Sequence, residues 1–192
     1  MSLESLLRDA RACTVCQAVL PMGARPVVQA APGARLLIVG QAPGHKVHAT
    51  GLPWNDASGD RLREWLQIDR AVFYDANRVA IVPMGFCYPG ATGSGGDRPP
   101  RQECAPLWHA RLLGHLPEIR CTLLVGQYAQ KHYLRSTRKN TLTETVRSFA
   151  AYAPRFFPLP HPSWRSVGWM RRNGWFEELV LPDLREAVRR SA

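Results

Sequence analysis

The sequence predicts an α/β fold, with four strands alternating with helices along one domain that spans residues 1–192. Three observations carry that expectation. The runs Arg35–Gly40 (R-L-L-I-V-G) and Thr122–Gly126 (T-L-L-V-G) are apolar without interruption, the pattern of strands buried on both faces. Stretches with helical spacing of apolar residues separate such runs. The chain, at 192 residues, is long enough for one full core and does not demand a second domain. Alternation of this kind makes a parallel sheet covered on both faces, with ligands collecting beyond the carboxyl ends of the strands.

Residues 3–12 open the chain as a short helix, with Leu3, Leu6, Leu7 and Ala10 on one face and Ser2 as its cap. An irregular Pro/Gly/Ala stretch at 21–34 leads into the first strand, 35–40. Residues 41–55 read as a long loop bearing glycine and proline, after which Ser58 is expected to cap a helix through Leu66. The second strand is Arg78–Met84, and a loose segment at 87–101 precedes a helix over 103–116. Thr122–Gly126 forms the third strand, followed by helices at 127–135 and 141–151. Arg155–Leu159 is the fourth strand, and 174–190 a closing helix.

Lys and Arg outnumber Asp and Glu by 25 to 15, a net charge of +10 that favours a polyanionic partner because phosphate contacts release condensed counterions. The N-terminus has no apolar core of a signal peptide, and no stretch approaches the length of a membrane span, so a cytoplasmic chain with no membrane partner, acting as a monomer, is expected. Five cysteines in such a compartment serve metals or catalysis more often than disulfides.

Four of those cysteines have the spacing of a ligand set. Cys13 and Cys16 form C-x-x-C, which puts two sulfurs on one turn, and Cys87 and Cys104 flank the sixteen residues 88–103. An all-thiolate set holds zinc or a [4Fe–4S] cluster, and spacing does not choose between them; four separately packed thiols are the ordinary alternative. Cys121 opens a strand and reads as a core residue.

Three loops follow strands directly, Gly40–His45, Met84–Gly90 and His161–Arg165, and they are expected to line one cleft with Trp54 and His161 facing across it. Gly40-Gln41-Ala42-Pro43-Gly44 is a tight turn whose amides can face a phosphate or a base carbonyl, although many strand ends carry such a turn for shape alone. His161 stands between two prolines in H-P-S-W-R (His161–Arg165), where a neutral imidazole can donate to an oxygen gaining negative charge. Ser163, Trp164, Arg165, Trp169, Arg171 and Arg172 then mix cations with aromatic wedges, a composition suited to gripping phosphates and prising a duplex, or else a solvated loop over the core. Trp54, in G-L-P-W, can lie over a planar ligand or simply be buried under its loop. His45 and His48 belong to the rim loop, whereas His109 and His115 read as structural residues of a helix.

Taken together and in order, these motifs resemble the uracil-DNA glycosylase superfamily, and most closely its iron–sulfur branch, family 4. That branch carries an N-terminal C-x-x-C, a G-E-A-P-G turn, G-x-P-F, two cysteines flanking a proline-rich loop and a late H-P-x. Cys13 and Cys16, Gly40–Gly44, Gly51–Trp54, Cys87 and Cys104, and His161–Ser163 stand at those places here, and V-G-Q-Y-A at Val125–Ala129 is similar to the third-strand turn.

The resemblance implies a three-layer α/β/α sandwich with a central four-stranded parallel sheet. It implies a [4Fe–4S] cluster on Cys13, Cys16, Cys87 and Cys104, zinc being the alternative. It implies DNA as partner, base flipping, and hydrolysis of the N-glycosidic bond of a deaminated base, uracil or a relative. Trp54 would stack on the base, the turn and His161 would meet the leaving anion, and Gln41 would orient a water. Two positions depart from the pattern: Gln41 replaces the family 4 Glu, which leaves the turn without an acid, and Pro83 replaces the Asn that reads uracil. A nucleic-acid-binding module of the same fold, with little or no catalysis, is the alternative function.

Overall fold

The structure is a computed structural model and describes residues 1–93 and 95–191. Helix α1 (Leu3–Arg11) begins where Ser2 Oγ accepts a hydrogen bond from Ser5 N, as its sequence suggested, and buries Leu3, Leu6, Leu7 and Ala10. Strand β1 (Leu36–Val39) leads into α2 (His45–Thr50), a helix inside the stretch expected to be a loop. The signal was weak there: Gly44 precedes α2 and offers no side-chain cap. Helix α3 (Ala57–Leu66) is capped by Asp56, not Ser58, with Asp56 Oδ1 accepting from Gly59 N at 2.8 Å. Helix α4 (Arg70–Tyr74), capped by Asp69, was not expected.

Strand β2 (Val79–Ile81), helix α5 (Cys104–Leu113), strand β3 (Cys121–Val125) and helix α6 (Gln127–Leu134) follow the expected order, each within a few residues of its predicted limits. His115 falls just beyond α5. Helix α7 (Leu142–Arg147) is locked by a reciprocal capping box between Thr141 and Glu144 and gives way to a single 3₁₀ turn, so the helix expected over 141–151 is shorter. After strand β4 (Phe156–Leu159) comes α8 (Ser166–Arg172), also unforeseen. The closing helix has two parts, a π turn at Phe176–Val180 and α9 (Leu181–Ser191).

The sheet order is β2-β1-β3-β4, and every pairing is parallel. Period-two alternation divides the strands between two cores. Leu37, Val39, Ala80 and Leu124 face α1 and α5, while Leu36, Ile38, Val79, Ile81, Leu123, Val125 and Leu159 face α3, α7 and α9. Helices therefore cover both faces, the α/β layering that the sequence predicted. The chain leaves β1 toward β2 on one side and later adds β3 on the other, so the carboxyl ends of β1 and β3 form a switch point. Among the described residues no helix is long and apolar enough to cross a membrane.

Candidate active site

A cleft of about 220 Å³ opens at that end of the sheet. It is lined by the turn Gly40–Gly44, by Trp54, Asp56, Pro83, Gly96, Asp97 and His161, and by Ser163, Trp164 and Arg165. The loops that directly follow β1 and β4 thus meet in one place, with Pro83 beyond β2 also on the wall, whereas Met84–Gly90, expected there too, does not line it.

Trp54 is held by close backbone approaches. A Cβ on Gly40 would lie 2.7 Å from Trp54 Cζ2, and a Cβ on Gly59 would lie 1.7 Å from the Trp54 carbonyl oxygen, so both positions need glycine for the indole to reach its place. Trp54 itself has φ +56°, an uncommon conformation for an aromatic residue. Its ring sits 5.6 Å from that of His161, tilted by 32°. The indole is half-buried, packing on the core with one part and lining the cleft with another.

His161 follows β4, and its carbonyl accepts from Ser163 N at 2.8 Å and from Ser166 Oγ. Arg61 of α3 donates to the carbonyls of Pro162 (3.2 Å) and Ser163 (2.7 Å), pinning the loop from below. Gly126, whose φ of +88° favours glycine, lies against the His161 side chain. Desolvation lowers the His161 pKa, only partly opposed by the Asp56 charge, which keeps the imidazole neutral at pH 7 and able to donate from one nitrogen.

Gln41 lines the same cleft, but its Nε2 donates to the Arg98 carbonyl at 3.1 Å. That leaves its Oε1 as the end able to orient a water. Pro83, at the place of the family's base-reading amide, has its carbonyl bonded to His109 Nε2 at 2.9 Å, with His109 Nδ1 against Tyr133 Oη at 2.6 Å. His109 is structural, as expected, and burial pushes its pKa down to about 4.

Trp164 is 70% exposed at the lip of the cleft, with the Arg165 guanidinium stacked 4.8 Å from its ring centre. Arg171 and Arg172 are exposed on the last turn of α8 and do not line the cleft. Trp169 is not a wedge: its Nε1 donates to Thr143 Oγ1 at 2.9 Å, and its ring packs edge-on against Trp175 and Phe176. Helix α8 turns it inward, an outcome hidden when the segment is read as a loop. His48 is buried in α2 beside Tyr88.

Two carboxylates not foreseen in the sequence also reach the cleft. Asp56 and Asp97 each place Oδ2 against Gly44, at 3.7 Å and 3.5 Å from where its Cβ would lie. Neither belongs to the first turn, which has no acid of its own, and both line the cleft from other segments.

The cysteines form a separate cavity. Cys13, Cys16, Cys87 and Cys104 line it together with Phe86, Arg101 and Trp108, whereas Cys121 is buried in the other core. Phe86 N donates to Cys104 Sγ at 3.4 Å. Burial, reinforced by the neighbouring cysteines, pushes Cys87 and Cys104 each to about 11, and burial alone takes Cys121 to about 12. Arg101 Nε and Trp108 Nε1, both of residues lining this cavity, are buried without a hydrogen-bond partner. Among the described residues, however, no group of three or more His, Cys, Asp or Glu is arranged to hold a metal ion. The thiols share a cavity but do not close on one point.

The site is thus a cleft at the carboxyl edge of a parallel α/β sheet, with the rings of Trp54 and His161 side by side at its mouth. The model of the Uracil DNA glycosylase superfamily matches residues 27–185, and this chain belongs to that superfamily. Membership points to DNA as the partner and to glycosylase chemistry in general. The matched span begins after Cys13 and Cys16.

Proposed function

We propose that this protein is a base-excision glycosylase that hydrolyses the N-glycosidic bond of a deaminated base flipped out of DNA. The observation carrying the reading is the Trp54–His161 pair, two rings 5.6 Å apart at the mouth of a switch-point cleft in a chain of this superfamily. Flipping is required because the glycosidic bond is unreachable inside a stacked duplex. Trp54 stacks on the base, His161 donates to the oxygen that becomes anionic as the base leaves, and the Gly40–Gly44 turn surrounds that edge. Ser163 and Arg165 hold the backbone, and exposed Trp164 fills the gap left in the stack. Pro83 offers no side-chain amide, so the pocket lacks one means of selecting uracil and admits related deaminated bases.

The iron–sulfur branch is the proposed affiliation. Four cysteines lining one cavity and two orphaned N–H donors around it support the reading of a ligand set, for which a [4Fe–4S] cluster is proposed and zinc is the alternative. Thiolates and inorganic sulfides accept such N–H groups. Cys13, Cys16, Cys87 and Cys104 would hold a [4Fe–4S] cluster, whose contribution is to staple the N-terminal segment to the loop before α5. It takes no part in the chemistry of the cleft.

The test is incubation with duplex and single-stranded oligonucleotides bearing uracil, hypoxanthine or xanthine, scored for abasic sites. Cleavage of at least one base supports the reading. Tight binding with every base intact favours the second reading, a binding module of the same fold, which the missing acid of the first turn and Pro83 recommend.

A further inference from the structure

The first turn presents Gln41 and Ala42, neither of which can take a proton from water. The acid of this cleft comes from elsewhere in the chain. Residues 90–92 and 96–98 pair as a small hairpin: Arg98 N donates to Gly90 O at 2.8 Å, Thr92 N to Gly96 O at 2.6 Å, and Ala91 bridges Asp97. Gly96 lies under the Arg165 guanidinium, with Nη1 3.0 Å from where its Cβ would stand, so this hairpin closes against the H-P-S-W-R loop. Its next residue, Asp97, is exposed to the cleft and sets its carboxylate against Gly44.

Gln41 is tied to this arrangement. It occupies the place of the family 4 acid and uses its amide nitrogen to hold the Arg98 carbonyl, next to Asp97. A carboxylate at 41 has no proton with which to make that bond. The amide in the turn and the acid in the hairpin therefore belong to one design, in which the amide positions the hairpin and the hairpin supplies the carboxylate.

Asp56 is the other acid nearby, but its Oδ1 is committed to capping α3. Its role is electrostatic. The groups facing Asp97 are Asp56, His45 and Tyr88, from three other parts of the chain. Desolvation, then the Asp56 charge, push the Asp97 carboxyl above its ordinary range, and His45 opposes them.

We propose that Asp97 is the general base of this cleft, accepting the proton of the water that attacks C1′ of the flipped nucleotide. This rests on the glycosylase reading above. In the step, the water oxygen bonds to C1′ and the C1′–N bond breaks, its electron pair leaving with the base. Asp97 takes the water's proton, and the base anion, hydrogen-bonded by His161, is protonated from solvent. The products are the free base and an abasic sugar, and Asp97 returns its proton to solvent.

The experiment is single-turnover cleavage across pH by wild type, Asp97→Asn and Asp56→Asn, on whichever oligonucleotide of the panel wild type cuts. Asp97→Asn is expected to lose about 10²–10⁴ in rate and the acidic limb of the profile. It should melt like wild type and bind an abasic duplex at least as tightly, which separates lost chemistry from lost fold. Asp56→Asn keeps its cap, since Asn serves there as well as Asp. It should lose far less rate and move the acidic limb to lower pH, because one cause raising Asp97 is gone. An active wild type whose Asp97→Asn stays within about threefold, or a limb that follows Asp56 instead, overturns this inference and leaves the glycosylase reading standing. A wild type that cuts no base overturns both.

Discussion

Gly40 and Trp54 approach so closely that the indole occupies the space of the missing side chain, 2.7 Å from where a Cβ would be. The aromatic platform of the cleft is thus set by a glycine at the end of β1. Replacing it, Gly40→Ala, forces the ring to move, and overpacking of this kind costs about 1–3 kcal/mol. Cleavage should fall more than DNA binding does, because the displaced ring faces the base and the phosphate grip is elsewhere. Equal losses in both would show that Trp54 serves only the fold.

His161→Ala tests the leaving-group contact. Removing one donor to a developing anion typically lowers the rate by about 10²–10³. The imidazole is already neutral near pH 7 because desolvation lowers its pKa. Single-turnover rates with matched binding of an abasic duplex are the measurement, and a rate within a few-fold of wild type removes His161 from the chemistry.

Much of the fold was legible because its strands are apolar on both faces, and only a sheet covered by two helical layers gives Leu36–Val39 or Cys121–Val125 such burial. The short helices were not. Helix α2 has no side-chain cap and only Val47 and His48 buried, while α8 buries Ser166 alone, so neither shows an apolar stripe. In the site, His161 stood in a motif adjoining a strand and Trp54 in a short G-L-P-W motif, and both could be read directly. Asp56 and Asp97 could not, since one sits at a helix cap and the other in a glycine-rich hairpin. Their meeting at Gly44 is a property of tertiary structure alone.

Phosphate contacts should divide by position. Arg165 lines the cleft, and Arg171 with Arg172 lies outside it on α8. Removing one protein–phosphate interaction lowers the salt slope of DNA binding by about one unit. Arg165→Ala should do so, and the pair Arg171→Ala with Arg172→Ala should change affinity less than Arg165→Ala alone. Titrations at several salt concentrations decide it; a larger effect from the pair would move the DNA path onto α8.

Acid should destabilise the fold through His109. Its folded pKa of about 4, set by burial, lies below the ordinary 6.5, so the unfolded chain binds the extra proton between those values. Stability from this group is complete above pH 6.5, falls as pH drops, and is lost below about 4, a span worth about 3 kcal/mol. His109→Gln, which cannot titrate, should flatten the difference between urea midpoints at pH 7 and pH 4.5, at the expense of some stability at pH 7. An undiminished pH dependence in that variant would place the linkage on another group.

The last prediction concerns Gln41. Judged by the family pattern alone, Gln41→Glu restores an acid and should raise the rate on uracil. The structure argues the opposite. Gln41 Nε2 donates to the Arg98 carbonyl, and a glutamate would set a negative charge against that oxygen with no proton to share. The hairpin would be pushed from the turn, carrying Asp97 away from Gly44, while two acids already share the cleft. The bond is exposed, so its loss removes about 0.5–1.5 kcal/mol, with like-charge repulsion added, enough to loosen a loop held by few contacts. Gln41→Glu should therefore cleave about tenfold or more slowly than wild type, and Gln41→Asn, which keeps a donor on a shorter arm, should recover part of the loss. Faster cleavage of uracil by Gln41→Glu would show that the turn, and not the hairpin, is where this fold wants its acid.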